Sequence, residues 1–502
     1  MGNGVRATII GMLGMSATAG EGAPEYVPKK KQTGKMLLVV LVAVAVVVAA
    51  VGVYYIANPG QAPGGGGGGG PSGKTSVTVW QAFSTTEFPA FLSIRNAFMQ
   101  LNPNITVNWV NQTTPSPSTL QPAALAGTAP NIIIGTSDFE GSSLYYYNFT
   151  LNLKNYVNSS AFSIYSPTSL ADVTYNGTDI YAFPININGV SMIYNKKLIP
   201  TAPQTTDQMI QMAKNITVIS GGRYSTSGII AGDQSDSGYR FVAWQAGFGG
   251  RLFASNGAPT INTGATAAAM SFLNNLTTVN QVTPAGMTTQ ATWISLFQTG
   301  KVGIIFDGPW DITSYVSALG ANNVGVAPMP TVSQTGLRPL PFLGSIAVSV
   351  LNQKASSASS AQINASVKFA QYLASNASEV KFWNSAGDFP ATTGGLKYVM
   401  SLNVSWANGF AEQFLKYSQQ FFNTPQMAYY WTPFGTYYSA FISGSSTAAQ
   451  AASSIQNSIV SSMQQYHIPP YVVVSSSPLV QFMHFDTAAT EMNMAVQTGI
   501  RD

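Results

Sequence analysis

Between Ser76 and Gly135 the chain alternates strand and helix patterns, and no other feature narrows the fold as much. "SVTVW" (Ser76 to Trp80) is a β-branched run that reads as a strand. "EFPAFLSIRNAFMQLNPN" follows, with Phe91, Ile94, Phe98 and Leu101 at helical spacing and Asn102-Pro103 as the stop. "ITVNWV" is a second strand, "TLQPAALAGTAPN" a short helix ending at a turn, and "IIIG" (Ile132 to Gly135) a buried third strand. Strands joined through helices run in one direction, so the pattern predicts an α/β lobe with a mostly parallel sheet. The alternation continues. "GVSMIYNKKLI", "VGIIF", "NVGVAPMP" and "SIAVSVLNQ" read as strands. "TTDQMIQMAKNIT", "TAAAMSFLNNLTTV", "ASVKFAQYLAS" and "TAAQAASSIQNSIVSSMQQY" read as helices.

A chain of 502 residues, 45% hydrophobic, can bury a full core and holds roughly two or three domains. Its net charge of +4 is unevenly placed. Before Lys74, five basic residues face two acidic ones; from Lys74 onward, 17 face 16. The main body is therefore near neutral and offers nucleic acid no basic face. Cysteine is absent, which excludes disulfides, zinc-thiolate sites and cysteine nucleophiles. The two histidines, His467 and His484, both lie near the C-terminus. No G-x-S-x-G and no phosphate-binding G-x-x-x-x-G-K-[ST] occurs.

Met36 to Ile56 carries no charge over 21 residues, enough for a helix to cross a bilayer core of about 30 Å. Lys29, Lys30, Lys31 and Lys35 precede it, and Tyr54 and Tyr55 close it. That distribution predicts a cytoplasmic tail over 1–35, a transmembrane anchor over 36–56, and everything later outside the cell. A cleaved signal peptide, or a pilin-like leader cut near Gly34, also fits the run. Residues 57–74 hold seven consecutive glycines and read as a flexible tether. Ten N-x-[ST] sequons in the body are compatible with a glycosylated outer face.

"KVGIIFDGPWDIT" (Lys301 to Thr313) places a tryptophan between two acids at a strand end. A Gly-Pro turn there fixes the backbone and lets the Trp310 indole project into the crevice where open α/β folds bind ligands. The other reading is a core tryptophan plugging its lobe. Asp307 and Asp311 read first as a turn acid and a helix N-terminal acid.

Several stretches coincide, in one order, with one family. The chain resembles the sugar-binding proteins of ABC importers, the maltose-binding type. "VTVWQAFSTTEFPAFLSIRNAFMQLNPNITV" looks like their opening strand, ligand loop and first helix. "APNIIIGTSDFEG" resembles their P-D-I segment, with Asn131 where Asp is usual. "YAFPININGVSMIYNKKLI" looks like the passage between lobes, and "GFGGRLF" like a turn of the second lobe. "FQTGKVGIIFDGPW" and "NTPQMAYYWTPFGTYYSAFISG" complete the series, which spans about Val77 to Tyr466.

The resemblance implies a two-lobed periplasmic-binding-protein (type II) fold that closes on its ligand and then docks on a permease. The lobes would be discontinuous: 75–187 with 346–400, and 188–345 with 401–466. Crossings are expected near Asn186–Val190, near Gly344–Ile346 and within 396–408. Residues 467–502 would be an extension beyond the family's usual end. The implied protein is a membrane-tethered, extracellular substrate-binding subunit of an ABC importer. It would bind a carbohydrate, act through permease subunits, be monomeric in its body, and use no cofactor, metal or catalytic residue.

The resemblance also implies roles for particular residues. Trp310 and Trp431 would stack on the sugar, with Tyr429 and Tyr430 able to share the second position. Asp138 would clamp hydroxyls, and Ser84, Thr85 and Glu87 would meet the ligand from the first loop. Asn188 stands where maltose binders carry a glutamate, and Phe139 where they carry an arginine. Gly344 and Ser345 would contribute a backbone contact at the hinge. Tyr239 and Trp244 are weaker candidates beside "GFGG". These residue types suit a sugar: flat rings cover its C–H faces, and fixed polar groups bond adjacent hydroxyls. Two other functions stay open. One is a glycosidase using Asp307 and Asp311 as paired carboxylates. The other is an adhesin or sensor on the same body.

Overall fold

The computed structural model describes residues 73–468, apart from 82, 112–116, 137–141, 232–236, 255, 287–288 and 421–423. The expected anchor, most of the tether, the extension beyond 468, and Asp138 with Phe139 lie outside the described residues. Among the described residues no helix is long and apolar enough to cross a membrane.

The opening alternation folds as its pattern predicts. β1 (Thr75–Gln81) pairs in parallel with β2 (Ile105–Asn111) and with β3 (Ile132–Thr136). The helix Phe88–Leu101 between the first two strands buries Phe91, Ile94 and Phe98 but leaves Leu101 exposed. After a small hairpin of β4 (Thr174–Tyr175) and β5 (Asp179–Ile180), β6 (Ala182–Pro184) joins the far edge of the first sheet. The order of that sheet is β2-β1-β3-β14-β6, and β14 (Ile346–Val350) runs antiparallel to both neighbours. Val77, Val79, Ile132, Ile134 and Val348 join the helical residues Phe91, Phe98 and Phe369 in one core.

The second sheet has the order β12-β8-β11-β10-β9, built from β8 (Ser191–Asn195), β9 (Val218–Ser220), β10 (Arg223–Ile230), β11 (Val302–Asp307) and β12 (Val324–Ala327). β10 and β11 are parallel, whereas β8 opposes both β11 and β12. Three of this sheet's four pairings are antiparallel, against two of four in the first, so neither sheet is mostly parallel as the alternation predicts: strands that return from the other lobe enter antiparallel. Every residue of β11 is buried because both faces are covered, which is why "VGIIF" reads as an unbroken apolar run. Ile304 and Phe306 enter one core with Trp244 and Phe272; Ile305 enters another with Trp293 and Phe410.

A third, small sheet joins the two lobes. β7 (Asn186–Gly189) carries the chain from β6 to β8, and β13 (Phe342–Gly344) carries it back to β14. The two pair antiparallel, with Gly344 opposite Asn188 and Leu343 opposite Gly189. β15 (Phe389–Pro390) pairs with the other edge of β7, and β16 (Gln419–Gln420) with β13. A third segment therefore meets the crossing strands at β15, upstream of the expected 396–408. Beyond it, Leu396 and Val399 join a core that holds Trp383 and Phe389 beside Ile193, Val302 and Ile305, and their helix, Thr393–Ser401, lies mainly against the helix Asn376–Ala386 and β15.

Candidate functional site

The site grows from the end of β11. Gly308 follows the strand, and Pro309 opens a single 3-10 turn, Pro309–Asp311, that leads into the helix Ile312–Leu319. A Cβ at Gly308 would lie 1.9 Å from Cζ3 of Trp310. The glycine is there because the indole folds back across it. Trp310 is half-buried. Its carbonyl accepts a hydrogen bond from Thr86 Oγ1 at 2.7 Å, which ties the loop after β1, on the first lobe, to the second.

The two acids flanking that turn differ in environment. Asp307 is fully buried. Its carboxylate accepts from Arg240 Nη2 at 2.8 Å and from the Tyr315 hydroxyl at 2.5 Å. Arg240 Nε also donates to the Phe306 carbonyl at 2.7 Å, and the guanidinium lies 5.1 Å from the centre of the Trp293 ring. Burial pushes the Asp307 carboxyl up, and Arg240, Tyr315 and the Gly308 amide pull it back. Asp311 is partly exposed, with Gln290 Nε2 at 3.4 Å from Oδ2. Burial first, then the charges of Asp307 and Glu87, push its carboxyl up to about 8. Asp307 is sealed inside its ion pair, so it cannot face a bound sugar as one of two paired carboxyls.

Beside Trp310 stands an arc of rings. Tyr239, on the helix Ser237–Gly247, has its ring centre 6.4 Å from that of Trp310 and 6.3 Å from that of Phe342. Its neighbour Gly238 faces Trp431, whose Cε3 would stand 3.5 Å from a Cβ there. Trp431 opens the helix Trp431–Ile442 and is half-buried, like Trp310 and Tyr239. Tyr430 is different. It is fully buried, and its hydroxyl donates to the Gly238 carbonyl at 3.0 Å. The structure places it beneath Trp431 in the core, where it has no surface to give a ligand. Tyr429 is half-buried and shares a hydroxyl–hydroxyl bond of 2.7 Å with Tyr147, a second tie between the lobes.

The first loop is braced from within. Ser84 N donates to Glu87 Oε2 at 2.7 Å, and the hydroxyls of Ser84 and Thr86 meet at 2.8 Å. Thr85 is exposed and Ser84 half-buried, whereas Glu87 is only 3% exposed and accepts from the loop's own Ser84 amide. Asn188 and Gly344, paired across β7 and β13, are buried at the crossing, as is Ser345. The Asn188 Oδ1 is buried without a hydrogen-bond partner. Trp244 is fully buried between Phe272 and Phe306 and belongs to the core.

Trp310, Tyr239 and Trp431 thus come together on one lobe, and the loop bearing Ser84 and Thr85 reaches them from the other. The residue that sequence reasoning missed is Arg240. The signal was present: "SGYRFVAWQAG" holds one basic residue in an otherwise uncharged helix, in a chain only 8% charged.

The sequence profile of the family described as "Bacterial extracellular solute-binding protein" matches residues 93–398. A maltotriose-binding protein of Pyrococcus abyssi is 24% identical over 275 residues, 54% of this chain and 58% of its own length. A maltooligosaccharide ABC transporter solute-binding lipoprotein of Streptococcus pneumoniae is 26% identical over 303 residues, 59% of this chain and 69% of its own. This chain thus spans little more than half the length of the first of these relatives. The maltose/maltodextrin-binding domain of Bdellovibrio bacteriovorus, solved with maltotriose bound, superposes with a TM-score of 0.72 at 23% identity, covering 78% of this chain and 100% of that one. The likeness carries the two-lobed fold to this chain.

Proposed function

The chain belongs to the bacterial extracellular solute-binding protein family, and from that premise we propose that it captures a mono- or oligosaccharide by closing its lobes and delivers it to the permease of an ABC importer. The observation that carries this reading is the arc of half-buried rings, Trp310, Tyr239 and Trp431, opposite the hydroxyl-bearing loop Ser84–Thr86. Flat rings cover a sugar's C–H faces at little entropic cost, and short polar side chains bond its rim. On this reading Trp310 and Trp431 stack on the ligand, and Ser84, Thr85 and Asp138 bond its hydroxyls. Asn188 and Gly344 form the floor of the cleft. Glu87 and Tyr430 act one layer back, bracing the loop and supporting Trp431.

The relatives reported above are binding proteins, two of them named for maltotriose or maltooligosaccharide, so a maltooligosaccharide is the first ligand to try. The apolar run 36–56 would hold a monomeric body outside the membrane on the tether 57–74. That one relative is a lipoprotein supports a membrane-held body. Fractionation of cells expressing the chain checks it: the full-length protein is expected with the membranes, and one begun at Lys74 in solution.

Calorimetric titration with maltotriose and mannotriose tests the binding. At 100 times its dissociation constant a true ligand raises stability by about 2.7 kcal/mol. The reading fails if neither sugar nor any other carbohydrate raises the melting point. It fails equally if Trp310→Ala and Trp431→Ala bind as well as the parent.

A further inference from the structure

Beside the crossing strands, two hydrogen bonds tie the lobes to each other, and a third ties the loop 84–87 to the helix Asn376–Ala386 on the first lobe. Thr86 Oγ1 donates to the Trp310 carbonyl at 2.7 Å, Thr313 Oγ1 to the Ser385 carbonyl at 3.2 Å, and Ser385 Oγ to the Thr86 carbonyl at 2.5 Å. They link the loop 84–87 and the end of the helix Asn376–Ala386, which packs on the first lobe, to the Pro309–Thr313 turn of the second. Carboxyls crowd this junction: Glu87, Asp388, Asp307 and Asp311.

Only Asp307 has a cation in contact, Arg240 at 2.8 Å. Glu87 Oε2 takes the Ser84 amide, but Oε1 is buried without a donor. Asp388 is 1% exposed, and neither of its oxygens receives a well-formed hydrogen bond. The Glu87 carboxyl and the Asn186 amide lie beside it, with Asp311 close enough to act on its charge. Among the described residues no group of carboxylates or histidines is arranged to hold a metal ion. Burial beside other carboxyls favours proton uptake by Asp388 and Asp311, because a protonated carboxyl supplies the hydrogen its neighbour lacks.

We propose that Asp388 and Asp311, packed against the buried Glu87, form a proton-binding site that latches the two lobes: with these two protonated the carboxyls pack together and the lobes stay shut, and with both ionised they repel and part. Glu87 and Asp388 lie with the first lobe and the crossing strands, and Asp311 with the second, so opening separates the charges and admits water. The remaining charged and titratable groups facing Asp311 are Arg240, Asp307 and Tyr315. All three sit on the second lobe, paired with one another, and move with it. Burial and the neighbouring carboxyls raise Asp311 to about 8 and Asp388 well above the ordinary carboxylate range. The shut form therefore binds more protons than the open one. Closure is favoured at low pH and lost as pH rises through about 8, by up to about tenfold in the open-to-shut ratio per pH unit for each proton released.

The proposal needs the two-lobed fold and no particular guest, so its test uses no ligand. The chain has no cysteine, so Ser93→Cys and Thr278→Cys, both exposed and one on each lobe, give two unique sites for spin labels. Pulsed electron resonance then reads the distance between lobes in the full-length chain. Short distances are expected to dominate at about pH 5 and long ones at about pH 9. Asp311→Asn on one lobe, or Asp388→Asn on the other, is expected to keep the distance short at both. Equal distance distributions in the parent at the two pH values overturn the proposal. So does a pH response in both variants as large as the parent's.

Discussion

At the scale of single residues, Arg240 and Asp307 matter most for stability. Both are at most 1% exposed, so neither charge has water to fall back on. Removing one partner leaves the other buried and alone, and Arg240→Met is expected to cost about 3–5 kcal/mol, read from urea unfolding. Exchanging the pair together for apolar residues of similar volume should cost much less, because no lone charge then remains. Trp310 makes the complementary case for function. Gly308→Ala would push the indole off its present position while disturbing little of the core. On the proposed function, binding of its sugar is expected to weaken by about 1 kcal/mol, roughly fivefold, with the melting point nearly unchanged. A variant that binds as tightly as the parent would show that the ring's position is not what the glycine serves.

At the scale of elements, close approach of backbone decides the packing. The helix Ser405–Lys416 lies on β12, and a Cβ added at Gly409 would stand 2.1 Å from the Val326 carbonyl. Helix propensity favours alanine over glycine by about 1 kcal/mol, but the clash is with backbone, which cannot rotate away. Gly409→Ala should therefore destabilise, by about 1–3 kcal/mol in thermal or urea unfolding, instead of stabilising. The helix ends obey simpler rules. Ser359 and Thr447 each cap a helix through a reciprocal box, with Gln362 and Gln450 as partners. Ser359→Ala is expected to cost about 1 kcal/mol. These caps could be read from the spacing alone; the constraint at Gly409 could not, because the carbonyl it meets lies 83 positions earlier in the chain.

At the scale of the whole molecule, buried carboxyls set the dependence on pH. Asp311 is raised to about 8, and Asp388 and Glu379 lie well above their ordinary range, with burial as the first cause in each. A carboxyl raised in the folded state holds its proton where the unfolded chain has released it. Its contribution is complete below the ordinary value near pH 4 and is lost as pH rises through the folded value. The melting point should fall between about pH 4 and about pH 8, with a slope of up to about 1.4 kcal/mol per pH unit for each retained proton. A stability that rose with pH over this window would contradict the burial described here. The second tie between lobes, Tyr147 to Tyr429, belongs to the same scale. Tyr147→Phe removes one neutral hydrogen bond from the shut form and should weaken sugar binding by about 1 kcal/mol without lowering the melting point of either lobe.

What the chain determined by itself was local: the alternation of strands and helices, the parallel pairing of β1 with β2 and β3, and the buried run of β11. Periodicity and turn chemistry act over a few residues, so they are written in adjacent letters. Tertiary structure decided the rest. It put Tyr430 and Glu87 inside and left Trp431 half-buried, though Tyr430 and Trp431 are consecutive aromatics in one motif. It paired Phe389–Pro390 with β7, more than 200 positions earlier in the chain. It joined Arg240 to Asp307, and Glu87 to Asp388, across intervals no local pattern spans. Burial and charge are properties of the assembled neighbourhood, and a side chain acquires them only when distant segments meet around it.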